Sequence, residues 1–226
     1  MSESESFIEE VSEEVRRDRL FALFRRYGWI AVLAIVLIVG GAAYNEWNKA
    51  QITVDRQARG DMLLDALDAS AGADRLAALE GAVAASDGAE ANLVRLHQAA
   101  AMVDAGDETG AVEILMNIAS DPDAGVIYGD LARLKVALMQ HDADETAPLL
   151  DQLTTPGRPF RLLALEVRAQ RKLDAGDADG AIGDLNAILE DPQTTPALRE
   201  RAERLTVILG GEVPENAQLL PLTQDG

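Results

Sequence analysis

Apolar and polar positions follow two different rhythms along this chain. From Gly28 to Tyr44 no charge interrupts the run, which is bounded by Arg25 and Arg26 before it and by Asn45 and Glu46 after it. Such a segment has no polar stripe to turn toward water, so it does not read as a buried amphipathic helix. Tyr27 and Trp29 stand at one edge, Tyr44 and Trp47 at the other, where amphipathic rings settle between hydrocarbon and water. Counted from Tyr27 to Trp47 the segment has 21 residues. At about 1.5 Å per residue that matches a hydrocarbon core of roughly 30 Å. The pattern therefore predicts a transmembrane helix over 27–47. Before it, in a tail over 1–26, Ile8, Val11 and Val15 recur at helical spacing among Glu9, Glu10, Glu13 and Glu14, which predicts an amphipathic helix running into the span.

After Trp47 the rhythm becomes that of water-soluble helices. Alanine and leucine recur at intervals of three and four in "DMLLDALDA", "LARLKVALM" and "RLLALEVRAQRKL", the spacing of one helical face. Helices are predicted at 48–69 and 72–86, 89–105 and 108–120, 124–140 and 143–154, and 158–175 and 178–190. A final helix over 196–209 has a charged outer face that suits a terminal cap. The tail, 211–226, lacks periodicity and reads as loose.

The breaks between these helices repeat. "VDAGDETGAVEILMNIASDP" (Val103 to Pro122) and "LDAGDADGAIGDLNAILEDP" (Leu173 to Pro192) match at an offset of 70 residues. A blurred copy, "HDADETAPLLDQLTTP" (His141 to Pro156), lies between them, and Pro122, Pro156 and Pro192 are 34 and 36 apart. Two helices in about 34 residues is the tetratricopeptide period. In that arrangement Gly106 and Gly176 turn the chain at the end of the first helix, with His141 in the middle copy. Ala111, Ala147 and Ala181 let the second helix approach closely, and Pro122, Pro156 and Pro192 stop it. The expected fold is all-α: one transmembrane helix, then a solenoid of stacked helix pairs over 48–210.

The small residues Gly41 and Ala43 leave a second reading open, a signal cut after Ala43. The acidic leader before the apolar run argues instead for an uncleaved anchor. Arg16, Arg17, Arg19, Arg25 and Arg26 precede the span, whereas Lys49, Arg56 and Arg59 follow it. That bias keeps the N-terminal tail in the cytoplasm and sends the long C-terminal part across. The chain carries a net charge of −19, which disfavours nucleic acid as a partner, because phosphate binding needs concentrated Lys and Arg. No cysteine is present, so the soluble part must be held by its apolar core.

A short cytosolic tail, one anchor ending in "YNEWNKAQ", and an acidic repeat domain together resemble the ancillary SecYEG translocon subunit family (YfgM-like). The resemblance runs from about Phe7 to Leu209, and the family's repeat domain is related to that of periplasmic cell-division coordinator proteins. It implies a bacterial inner-membrane protein with its repeats in the periplasm. It also implies partners among Sec translocon subunits, exported clients and periplasmic chaperones.

The chemical inventory offers little to an enzyme. His97 and His141 are the only histidines and fall in different repeats. The clusters "DAGDETG" and "DAGDADG" invite a calcium reading, but the loop positions that should hold the first ligand and the bidentate glutamate carry Ala105 and Met116 in one case, Ala175 and Asn186 in the other. Helix caps and turn glycines account for them better. No phosphate loop, nucleophile elbow or metal-spaced set is present, so no cofactor, metal or small-molecule substrate is expected. The working surface expected of a solenoid is a groove lined by the first helix of each repeat. Arg95, His97, Arg133, Glu166 and Gln170 are its candidate residues.

Overall fold

The structure, a computed structural model, describes residues 3–215; within its first helix the side chains of residues 3–24, 27, 28, 31 and 32 lie outside the described residues. All regular structure among the described residues is helical. The order is α1 (Glu3–Asp68), α2 (Ala73–Ala85), α3 (Gly88–Asp104), α4 (Glu108–Ser120), α5 (Gly125–Met139), α6 (Ala143–Leu153), α7 (Arg161–Asp174), α8 (Ala178–Leu189) and α9 (Pro196–Ile208), with one 3-10 turn at Pro122–Ala124. From α2 onward each helix lies within a few residues of its sequence-predicted limits.

The chain divides into two compact units, Met1–Ala58 and Arg59–Gly226. The division falls later than the boundary expected at residue 48, because no Gly-Pro pair or turn signal interrupts the helix between Trp47 and Asp68. In the first unit every described side chain from Leu33 to Trp47 is exposed, including Ile35, Leu37 and Ile38 at 61%, 67% and 72%. The rings of Tyr44 and Trp47 meet at 6.3 Å in a tilted pair. Among the described residues no helix is long and apolar enough to cross a membrane; Tyr27, Gly28, Ala31 and Val32 of the expected span have side chains outside the described residues.

The second unit is a chain of helix pairs. Each helix from α2 to α9 packs on the next, and α3 also packs on α5, and α5 on α7. The apolar core is correspondingly a string of four clusters rather than one. Ala66, Leu79, Ala82 and Val94 join the end of α1 to α2 and α3. Leu96, Ala111, Leu115, Ile118 and Val136 join α3, α4 and α5. Leu134, Leu150, Leu153 and Ala164 join α5, α6 and α7, and Leu165, Leu185, Ile188 and Leu198 join α7, α8 and α9. This nearest-neighbour core is what a solenoid builds, since no pair can bury its apolar face alone.

The repeated motif has a local physical cause. Gly106 and Gly176 adopt φ of 84° and 80°, the left-handed conformation that closes a helix at low cost only for glycine. The next residue then points its N–H back five positions, Asp107 to the Met102 carbonyl and Asp177 to the Lys172 carbonyl. The same aspartates cap the following helix, Oδ1 accepting from the N–H of Gly110 and of Gly180 at 2.9 Å in both repeats. Gly210, 34 residues beyond Gly176, repeats this turn with φ of 75°, and Gly211 N–H donates to Thr206. Helix α9 therefore ends as the first helix of a repeat does.

One packing position shifts by a residue. Ala111 and Ala181 are fully buried where expected, but Ala147 is exposed and Thr146 is buried in its place. The cap sets the register: Asp107, Asp142 and Asp177 each begin a helix, and the fourth residue after each cap is Ala111, Thr146 and Ala181. The Thr146 hydroxyl donates to the Asp142 carbonyl at 2.7 Å, so its burial leaves no polar group unpaired. Four further on, Leu115, Leu150 and Leu185 are each 1% exposed and fill the large apolar position of the motif. Pro122, Pro156 and Pro192 all lie just beyond the ends of α4, α6 and α8.

Candidate peptide-binding face

Helices α3, α5 and α7 lie side by side. Arg201 of α9 extends the layer by donating to Glu166 of α7 from Nε at 2.7 Å and Nη2 at 3.0 Å. That pair joins residues 35 apart, so the repeat period carries each position onto its equivalent in the neighbouring helix of the layer. The remaining side of the layer is open. On α3 it exposes Leu93, Ala100, Val103 and Asp104, on α5 Leu138, and on α7 Leu163, Gln170 and Asp174. Between α3 and α5, a cavity of about 300 Å³ is lined by Ala100, Val103, Asp104, Lys135, Leu138 and Met139, among others.

The five candidate groove residues separate. Gln170 is exposed on this face and Glu166 is tied to Arg201 on it. His97 is half-buried on α3. Arg133 is turned away: it donates to Asp130 and to the Ala119 carbonyl at the end of α4. Arg95 donates to the buried Asn92 at 3.1 Å. The aliphatic positions of the face, Leu93, Val103, Leu138 and Leu163, were not among the residues singled out from sequence. Counting 35 residues from one capping aspartate to the next would have found them, because Val103, Leu138 and Leu173 then fall in one row.

Arg133 and Arg95 illustrate a general arrangement. Every arginine from Arg59 to Arg204 has a partner inside the repeat unit. Three close the ends of the even-numbered helices at equivalent positions: Arg133 on the Ala119 carbonyl, Arg168 on the Thr154 hydroxyl and Arg199 on the Leu189 carbonyl. A guanidinium there satisfies terminal acceptors and complements the negative end of the helix dipole. Arg168 also clamps Asp184 of α8 at 2.7 and 3.0 Å, with Lys172 at 2.8 Å. Burial pushes the Asp184 carboxyl up, but hydrogen bonds from Arg168 and Lys172 outweigh it and hold the group below its ordinary value. The bases are spent inward, so the outward field is acidic.

The largest cavity, about 700 Å³ around Pro156–Leu163 and Asp191, contains Arg158 and Arg161. Both are committed, Arg158 to Asp130 at 3.5 Å and Arg161 to Asp191 at 2.7 Å, so it offers no ready anion site. Among the described residues no three His, Asp or Glu side chains converge to hold a metal ion. Compared with protein-family models, curated proteins and solved structures, the chain has no match.

Proposed function

We propose that this protein is a membrane-anchored interaction scaffold whose repeat unit works in the periplasm beside the Sec translocon, assisting exported proteins or passing them to chaperones. The observation that carries the reading is the apolar stretch of α1. Its described side chains from Leu33 to Trp47 are exposed on every side of the helix, and a helix that is apolar all round is stable only when lipid or protein covers it. The Tyr44 and Trp47 rings stand where an aromatic belt would. The repeat unit supports the scaffold half of the reading, because an open layer of parallel helices without a catalytic constellation is a surface suited to polypeptide. Tethering such a surface raises its local concentration beside a client, so a weak face suffices. The translocon as the site of action rests on the sequence resemblance.

The test is the intact mass of the protein from native membranes after carbonate extraction, followed by crosslinking to translocon subunits. Full-length chain in the membrane pellet, crosslinked to those subunits, is the expected result. A soluble species beginning at Tyr44 would overturn the anchor and favour a free periplasmic repeat protein that coordinates envelope or division factors.

A further inference from the structure

Val103, Leu138, Leu173 and Ile208 occupy the same position in four successive odd-numbered helices, each 35 residues after the last. Val103, Leu138 and Ile208 are 38%, 54% and 73% exposed, and Leu173 is half-buried against the last core cluster. Val103 and Leu138 line one cavity. A row of aliphatic side chains kept at the repeat period across the open face contributes little to the core beneath it, yet exposes apolar area that water disfavours.

The surroundings of the row define what fits it. Asp104 and Asp174 follow Val103 and Leu173 by one residue, and both are exposed; Asp174 keeps a side chain 59% exposed despite a 3.8 Å contact with Arg171. Lys135 lines the cavity with Asp104. Every arginine of the unit is engaged internally, so the charge met by an incoming segment is chiefly carboxylate. Neighbouring helices are separated by roughly 8–10 Å, and an extended chain rises about 3.3 Å per residue. Such a chain crossing the helices presents one residue in about three to each.

We propose that this row receives an unfolded, extended polypeptide segment carrying aliphatic side chains at about every third position, with lysine or arginine between them. The aliphatic side chains lie on Val103, Leu138, Leu173 and Ile208, and the cations face Asp104 and Asp174. The inference rests on the scaffold reading above and gives its face a class of client.

The test uses the full-length chain reconstituted in nanodiscs of zwitterionic lipid. Its probe is a fluorescent peptide of about a dozen residues with leucine at every third place and lysine between, compared with one in which glutamate replaces lysine. Fluorescence anisotropy should show the lysine peptide binding at least about tenfold more tightly. Leu138→Asp should weaken it by a similar factor, while Met116→Asp, on the exposed side of α4, leaves it unchanged. Asp104→Lys combined with Asp174→Lys, both at exposed sites, should reverse the preference between the peptides. Equal binding of the two peptides, or binding indifferent to Leu138→Asp and to the charge reversal, would overturn the proposal. Carbonate retention measured on the same cells separates the two readings. Lost peptide binding with retention intact removes only the client class, and release with binding intact removes only the anchor.

Discussion

Arg171 of α7 donates through Nη2 to two carbonyls at the end of α5, Ala137 at 3.0 Å and Gln140 at 2.9 Å. In the flanking repeats, Gly106 and Gly176 turn the chain so that the following aspartate N–H reaches back to the equivalent of Ala137. The middle repeat carries His141 at that position and Gln140 is extended, so the turn that satisfies those acceptors is missing. A guanidinium from the next repeat replaces it.

Arg171→Ala should therefore destabilise the fold by about 1.5–3 kcal/mol, the cost of leaving acceptors without their charged donor. Adding His141→Gly should recover part of the loss by permitting the left-handed turn. Urea unfolding of the single and double variants decides this; no recovery would mean that the two closures are not equivalent.

The register of α6 gives a second prediction. Thr146 is 1% exposed and Ala147 is exposed. Thr146→Leu should cost about 1–3 kcal/mol through overpacking, whereas Ala147→Leu should stay within about 0.5 kcal/mol of the parent. Comparable melting temperatures for the two variants would contradict the cap-defined register.

Asp184 should make stability depend on pH in acid. Its carboxyl is held below the ordinary 3.8 in the folded state, so its ionised form stabilises the fold above that pH. The contribution fades as pH falls through the lower folded value, where both states are protonated. Asp184→Asn should be clearly less stable than the parent at pH 7, and the gap should shrink below about pH 4. Thermal melts from neutral pH to pH 2 measure it, and a gap that widens in acid would give the opposite sign.

Glycine substitutions separate turn glycines from incidental ones. Gly106→Ala places a side chain at φ of 84° and should cost about 1–2 kcal/mol. Gly81 lies inside α2 with nothing within 4 Å of an added Cβ, so Gly81→Ala should stabilise by about 0.5–1 kcal/mol. Paired chemical denaturation curves check both signs.

Much of the architecture was legible in the residues because its causes are local. A capping aspartate, a turn glycine and a helix-ending proline act within a few residues of themselves, so the string Asp-Ala-Gly-Asp marked the helix ends of the second and fourth repeats. The apolar run from Gly28 to Tyr44 is likewise a property of composition. The middle repeat was read one residue out of phase because Thr146 and Ala147 are both small, and only burial distinguishes them. Arg95 and Arg133 looked like groove residues because charge on a first helix suggests a solvated face. Their partners, Asn92 and the Ala119 carbonyl, hold them inside the repeat unit. Sequence alone determined that the chain is helical, repetitive, acidic and marked by one apolar segment, since each of these depends on neighbours in sequence. Tertiary structure decided which side of each first helix stays open, where the arginines are spent and which aliphatic residues form a row, since those depend on contacts made between helices a repeat apart.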